Sequence, residues 1–105
     1  MLYLLLSDIH ANFEALDAVL ADASRRYPGV DRVLCLGDLV GYGADPEPVT
    51  DRIKAISDVV IRGNHDKAVA LGENLDWFNQ AARDATYWTL RQLQLETVDY
   101  LRNLP

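Results

Sequence analysis

Three short segments hold the side chains able to do chemistry: Asp8 and His10 in Ser7-Asp8-Ile9-His10, Asp38 in Gly37-Asp38-Leu39-Val40-Gly41, and Asn64, His65 and Asp66 in Gly63-Asn64-His65-Asp66. Asp8 and His10 stand two apart, so an extended backbone would point both the same way. A carboxylate beside an imidazole at that spacing can bind a divalent ion of the zinc, manganese or iron type. Asp38 offers two oxygens, enough to bridge two metals about 3.5–4 Å apart. Without a cation, two neighbouring carboxylates would repel until one took up a proton. Asn64 offers a neutral oxygen, His65 a donor toward a substrate oxygen, and Asp66 a carboxylate that could hold the His65 imidazole. Each segment alone has a plainer reading: a helix cap beside a surface histidine, a turn, or a tight loop with a satisfied imidazole. Their order and placement together favour a hydrolytic metal site.

That placement comes from the elements before each segment. Leu2 to Leu6, Val33 to Leu36 and Val59 to Ile61 are apolar runs that read as strands, the first as one covered on both faces. Asp8 lies 30 positions before Asp38, and Asp38 lies 26 before Asn64. Both spacings match the ~30 residues of a β-α-β repeat. In a parallel sheet, the loops leaving the carboxyl ends of the strands gather on one edge, where ligands bind. Asn12 is a candidate N-cap for a helix with Phe13, Leu16, Leu20 and Ala23 on one stripe, closed by Tyr27-Pro28-Gly29. Gly37 to Pro48, with three glycines and two prolines, reads as loop, and Val49, Ile53 and Ile56 mark a second helix. Beyond Asp66, Trp77, Ala81, Ala85 and Trp88, then Val98, Leu101 and Leu104, recur at helical spacing. They predict two helices with a break between Leu90 and Glu96. The fold class is α/β: a layered α/β sandwich with a parallel β-α-β-α-β core followed by helices.

The 105 residues allow one small domain. A net charge of −6 argues against non-specific nucleic-acid binding through the phosphate backbone. No apolar run approaches the ~20 residues needed to cross a bilayer, so no membrane association is expected. Met1 to Leu6 lacks a basic start and ends too early for a signal peptide. Cys35, the only cysteine, reads as a buried and inert thiol, and the expected setting is cytoplasmic.

The set Asp8-x-His10, Gly37-Asp38-x-x-Gly41 and Gly63-Asn64-His65-Asp66 resembles the calcineurin-like metallophosphoesterases, which carry Asp-x-His, Gly-Asp and Gly-Asn-His-Asp/Glu in this order. Trp77 to Pro105 resembles a bacterial and archaeal branch of that family. The resemblance implies that Asp8 and His10 bind a first metal, Asp38 bridges two, and Asn64 binds the second. His65 would act at the leaving group or the developing phosphate charge, oriented by Asp66. The implied cofactors are two divalent ions (manganese, iron, zinc or nickel). The implied reaction is hydrolysis of phosphate mono- or diesters by a hydroxide activated between them.

The family's later half supplies further metal-binding histidines, whereas this chain contains only His10 and His65. Residues 1–105 are therefore expected to be the N-terminal part of a single metallophosphoesterase domain, an incomplete one that binds metal weakly alone. The alternative is a truncated non-catalytic α/β module acting through binding or self-assembly. Its partners would be a second copy or a complementing C-terminal half. A receiver domain or aspartate-nucleophile phosphatase fits less well, since neither has a use for Asp-x-His with Asn-His-Asp.

Overall fold

A computed structural model describes all 105 residues. The elements run β1 (Tyr3–Leu6), α1 (Phe13–Arg26), β2 (Arg32–Cys35), α2 (Pro46–Ile56), β3 (Val59–Val60), α3 (Asn64–Leu71), a 3₁₀ turn (Leu75–Trp77), α4 (Gln80–Gln92) and α5 (Leu95–Arg102). The three strands form one parallel sheet in the order β1-β2-β3, with Tyr3 opposite Arg32 and Leu34 opposite Val59. The expected parallel α/β core is present.

Two right-handed crossovers stepping the same way along a sheet put both helices on the same face. That face is the packed one. Leu6, Cys35 and Val60 join Leu16 of α1 and Val49 and Ile53 of α2 in a continuous core, closed by Val69 of α3 and Leu101 of α5. The opposite face is open. Tyr3, Leu5 and Val59, with Leu36 and Ile61 just beyond β2 and β3, are all exposed. The expectation of strands covered on both faces thus fails for this chain, since no helix crosses to the second side.

Local chemistry explains the helix boundaries. The Asn12 side chain accepts from the Ala15 N–H and starts α1. α2 begins inside the stretch expected to be loop, because Pro46 and Pro48 occupy its first turn, where no N–H needs a partner. Glu47 reaches from that turn to the Gln94 N–H (2.8 Å) and the Thr97 hydroxyl (2.5 Å), fastening α5 to α2. α4 is capped by Asn79, whose side chain accepts from the Ala82 N–H, and it ends at Gln92 within the expected break. Trp77 falls in the 3₁₀ turn and is exposed rather than on the α4 stripe.

Candidate metal centre

The sheet positions the site by continuing to pair after its strands end. Beyond β1 and β2, the Asp8 N–H donates to the Gly37 carbonyl (3.1 Å), His10 N–H to Asp38 (2.9 Å) and Ala11 N–H to Leu39 (2.8 Å). This zipper is not extended. Asp8, His10, Ala11, Asp38 and Tyr42 all have φ between +49° and +62°. Non-glycine residues held there cost of order 1–3 kcal/mol each and cluster at functional sites. The expectation that Asp8 and His10 converge through extended geometry is therefore corrected: they converge through left-handed backbone on both residues.

His10 lies at the centre of the convergence. Its Nδ1 is 3.0 Å from the Val40 carbonyl oxygen, which can only accept, so Nδ1 carries the proton and Nε2 presents its lone pair. Nε2 lies 3.6 Å from Asp8 Oδ1 and 3.8 Å from Asp38 Oδ2. Three lone-pair donors thus face one another across a gap. Ligands about 2.1 Å from a shared ion at tetrahedral angles stand about 3.4 Å apart, close to these separations. Ligand atoms of His10, Asp38 and His65 also lie within 4.8 Å of one another. The Val40 carbonyl stands where an outer partner would fix a ligating histidine's tautomer and ring plane. Being a backbone atom, it could not have been identified from residue type.

The Asp38 carboxylate is shared. Oδ1 accepts from the His65 N–H (3.0 Å) while Oδ2 turns toward His10. The Asn64 amide lies 3.2 and 3.3 Å from the two Asp38 oxygens. With its nitrogen toward Asp38 the amide donates; with its oxygen there, two acceptors face each other, an arrangement that a cation between them would relieve. Rotating this amide exchanges the N–H and the oxygen that Asn64 offers, without moving the backbone. The donor set of Asp8, His10, Asp38 and Asn64, oxygens with one imidazole nitrogen, fits a divalent transition ion.

His65 sits among rings. Its centroid is 4.8 Å from those of His10 and Tyr42 and 4.7 Å from that of Phe78. Burial lowers its pKa below the ordinary imidazole value, opposed by the nearby Asp38 and Asp8 carboxylates. The ring fits because Gly41 has no side chain: a Cβ there would lie 2.9 Å from Nδ1. Phe78 carries no motif that would have marked it in advance.

Asp66 does not orient His65. It is fully buried, and its carboxylate accepts from three backbone N–H groups, those of Asp38 (2.8 Å), Val40 (3.1 Å) and Gly63 (3.0 Å). The expected carboxylate–imidazole pair is replaced by a clamp joining the second and third motifs. Burial raises the Asp66 pKa to about 6 against the opposing pull of those donors. At Asp8 the Ser7 hydroxyl, which donates to Oδ2 at 2.5 Å, is the main cause of a lowered pKa. Burial raises the Cys35 pKa, in keeping with an inert thiol.

The family model of the calcineurin-like phosphoesterases matches residues 1–105. The chain belongs to that family. It is 42% identical over 100 residues to the uncharacterized protein MJ0912 of Methanocaldococcus jannaschii, a match covering 95% of this chain and 40% of that protein. Among solved structures it resembles a metallophosphoesterase from Sphaerobacter thermophilus, with TM-score 0.80 and 45% identity over 98% of this chain and 41% of that one. A structure described as a "putative diadenosine tetraphosphatase" is similar at TM-score 0.72 and 25% identity, covering 98% of this chain and 42% of the other. The chain thus spans about two fifths of the length of these relatives. No helix in it is long and apolar enough to cross a membrane.

Proposed function

We propose that the chain forms the N-terminal part of a dinuclear metallophosphoesterase site that hydrolyses phosphate mono- or diesters. The observation that carries this reading is the His10 Nε2 lone pair, fixed by the Val40 carbonyl and facing Asp8 and Asp38. Asp8 and His10 would hold one divalent ion, Asp38 would bridge to a second, and Asn64 would hold the second through its amide oxygen. The metals would be manganese, iron, zinc or nickel. When bound, such ions acidify a water and neutralise phosphoryl charge. His65, kept neutral by burial among three rings, would offer a nitrogen to the substrate oxygen where charge develops. Asp66 acts through the backbone, holding Asp38 and the start of α3 in place. A cytoplasmic setting is part of the proposal, in keeping with a lone buried thiol.

The test is manganese binding by calorimetry beside hydrolysis of bis-p-nitrophenyl phosphate, on the 105-residue chain and its His10→Ala and Asp38→Asn variants. The expected result is metal affinity at least about tenfold weaker in both variants. Affinity unchanged in both would refute the assignment. Hydrolysis by this chain that is lost in Asp38→Asn would mean that the ligands present are sufficient.

A second reading, a non-catalytic module that self-assembles or pairs with a complementing chain, is favoured by the open sheet face of Tyr3, Leu5 and Val59. Parallel sheets are normally covered on both sides. Concentration-dependent dimers without metal binding would support that reading over the first.

A further inference from the structure

A cavity of ≈ 560 Å³ opens beside His10, bounded by the first turn of α1 and the loop leading into α2. Its mouth carries Tyr42, held at φ +62° and 55% exposed, with its ring 5.2 Å from that of His10 and 4.8 Å from that of His65. A tyrosine in left-handed backbone, where glycine or asparagine would be easier, keeps an aromatic face at the edge of the site at an energetic cost. The loop behind it is fastened: the Asp45 N–H donates to the Ala11 carbonyl (2.9 Å), and Gly43 to Gly41 (2.7 Å). Beside Asp8 at the metal end, two further carboxylates, Glu14 and Asp45, line the cavity, and no lysine or arginine does. Asp45 occupies the N-cap of α2, yet its side chain makes no capping hydrogen bond. The positive ends of α1 and α2, which would otherwise attract an anion, already face these two acids.

We propose, resting on the phosphoesterase reading above, that this cavity seats the leaving group, and that the group it takes is an uncharged nucleoside esterified at its 5′ oxygen. Tyr42 supplies the stacking face for the base, since every base offers a π-face to an aromatic ring. Glu14 and Asp45 accept from the 2′ and 3′ hydroxyls, as carboxylates do for ribose elsewhere. In the reaction, a water oxygen bonds to phosphorus, the bond from phosphorus to the 5′ oxygen breaks, and a proton from the water ends on that oxygen, giving free nucleoside and phosphate. A leaving group extended by further phosphates would set its charge against the two acids.

The test is an amide NMR titration of the 105-residue chain with adenosine, and separately with zinc. Adenosine is expected to shift Tyr42, Ala44 and Asp45. Binding is expected to weaken about fivefold or more in Tyr42→Ala, and about threefold for 2′,3′-dideoxyadenosine, which lacks both hydroxyls. Asp45→Asn, a milder change, should weaken adenosine while leaving dideoxyadenosine unaffected. Zinc shifts at Asp8, His10 and Asp38 report the metal site independently. Zinc binding with no adenosine response, or equal binding of adenosine and its dideoxy analogue, would overturn the nucleoside pocket and leave the metal site standing. Adenosine binding without any zinc response would support the pocket and refute the metal reading.

Discussion

The Asp66 clamp makes a prediction that separates it from an imidazole-orienting role. In metal-free protein, Asp66→Ala leaves the Asp38, Val40 and Gly63 N–H groups without their acceptor. Orphaned buried donors cost about 1–3 kcal/mol each, so about 6 kcal/mol in all. Against that stands the relief of a buried charge. A folded pKa of about 6, raised from the ordinary 3.8, corresponds to about 3 kcal/mol of lost stability once both states are ionised. The net loss at pH 7 is then about 3 kcal/mol, a large share of a small domain's stability. Asp66→Asn keeps an oxygen for two donors and turns its amide nitrogen on the third, so its loss is smaller. The sign of the pH dependence follows from the raised pKa. The folded state binds more protons than the unfolded between pH 3.8 and about 6, so wild-type stability falls as pH rises through that window. Asparagine has no such dependence. The deficit of Asp66→Asn relative to wild type should therefore shrink by about 2 kcal/mol between pH 4 and pH 7. Urea midpoints at the two pH values measure it, with ¹⁵N shifts of the His65 ring followed alongside. A deficit that does not change with pH, with His65 shifts that do move, would restore the orienting role and refute the clamp.

Other consequences are equally direct. Gly63→Ala has an allowed backbone, φ −79°, but its Cβ would collide with the Asp38 N and Oδ1 and lie 2.6 Å from Cγ. A loss of about 1–3 kcal/mol in urea is expected, with weaker metal binding; wild-type values in both would contradict the packing. Zinc at 100 times its dissociation constant should stabilise the chain by about 2.7 kcal/mol, a rise of about 10–20 °C that chelator reverses. His10→Ala should abolish that rise, as read by thermal unfolding. Leu5 and Leu6 are adjacent in β1 but face opposite sides of the sheet. Leu6→Ala should cost about 2–5 kcal/mol, and Leu5→Thr within about 0.5 kcal/mol, by urea unfolding of dilute protein. Comparable losses would mean that the second face is covered in solution.

The residues of the site could be read from the sequence because a parallel sheet gathers its strand ends on one edge, and only motif order and spacing are needed to see that Asp8, Asp38 and Asn64 meet there. How they meet was not legible. Period-two reasoning makes Asp8 and His10 neighbours on an extended chain, whereas both adopt left-handed backbone so that their segment can keep pairing with Gly37 to Leu39. Residue type carries no sign of this, since the cost of positive φ is offset by hydrogen bonds supplied from another strand end. The misreading of Asp66 has the same origin. A carboxylate next to a histidine in sequence suggests a pair, but both fall in the first turn of α3, where consecutive side chains point in different directions. Asp66 therefore turns inward to backbone donors and His65 outward to the rings. The prolines of the second loop misled because only position distinguishes a proline that ends a helix from one that begins it. The open face was hidden for a related reason: Leu2 to Leu6 is apolar on both sides, a composition suited to a strand covered twice, and this chain supplies one cover. Its second apolar set, Tyr3 and Leu5 on β1 with Val59 on β3, is thus a requirement written into the strands that residues 1–105 leave unmet. A site whose candidate ligands converge here, at the edge of a sheet with one face uncovered, is positioned by its own backbone but not enclosed by it. Metal binding and stability should therefore separate experimentally: the first depends on the zipper of strand ends, the second on whatever covers the sheet.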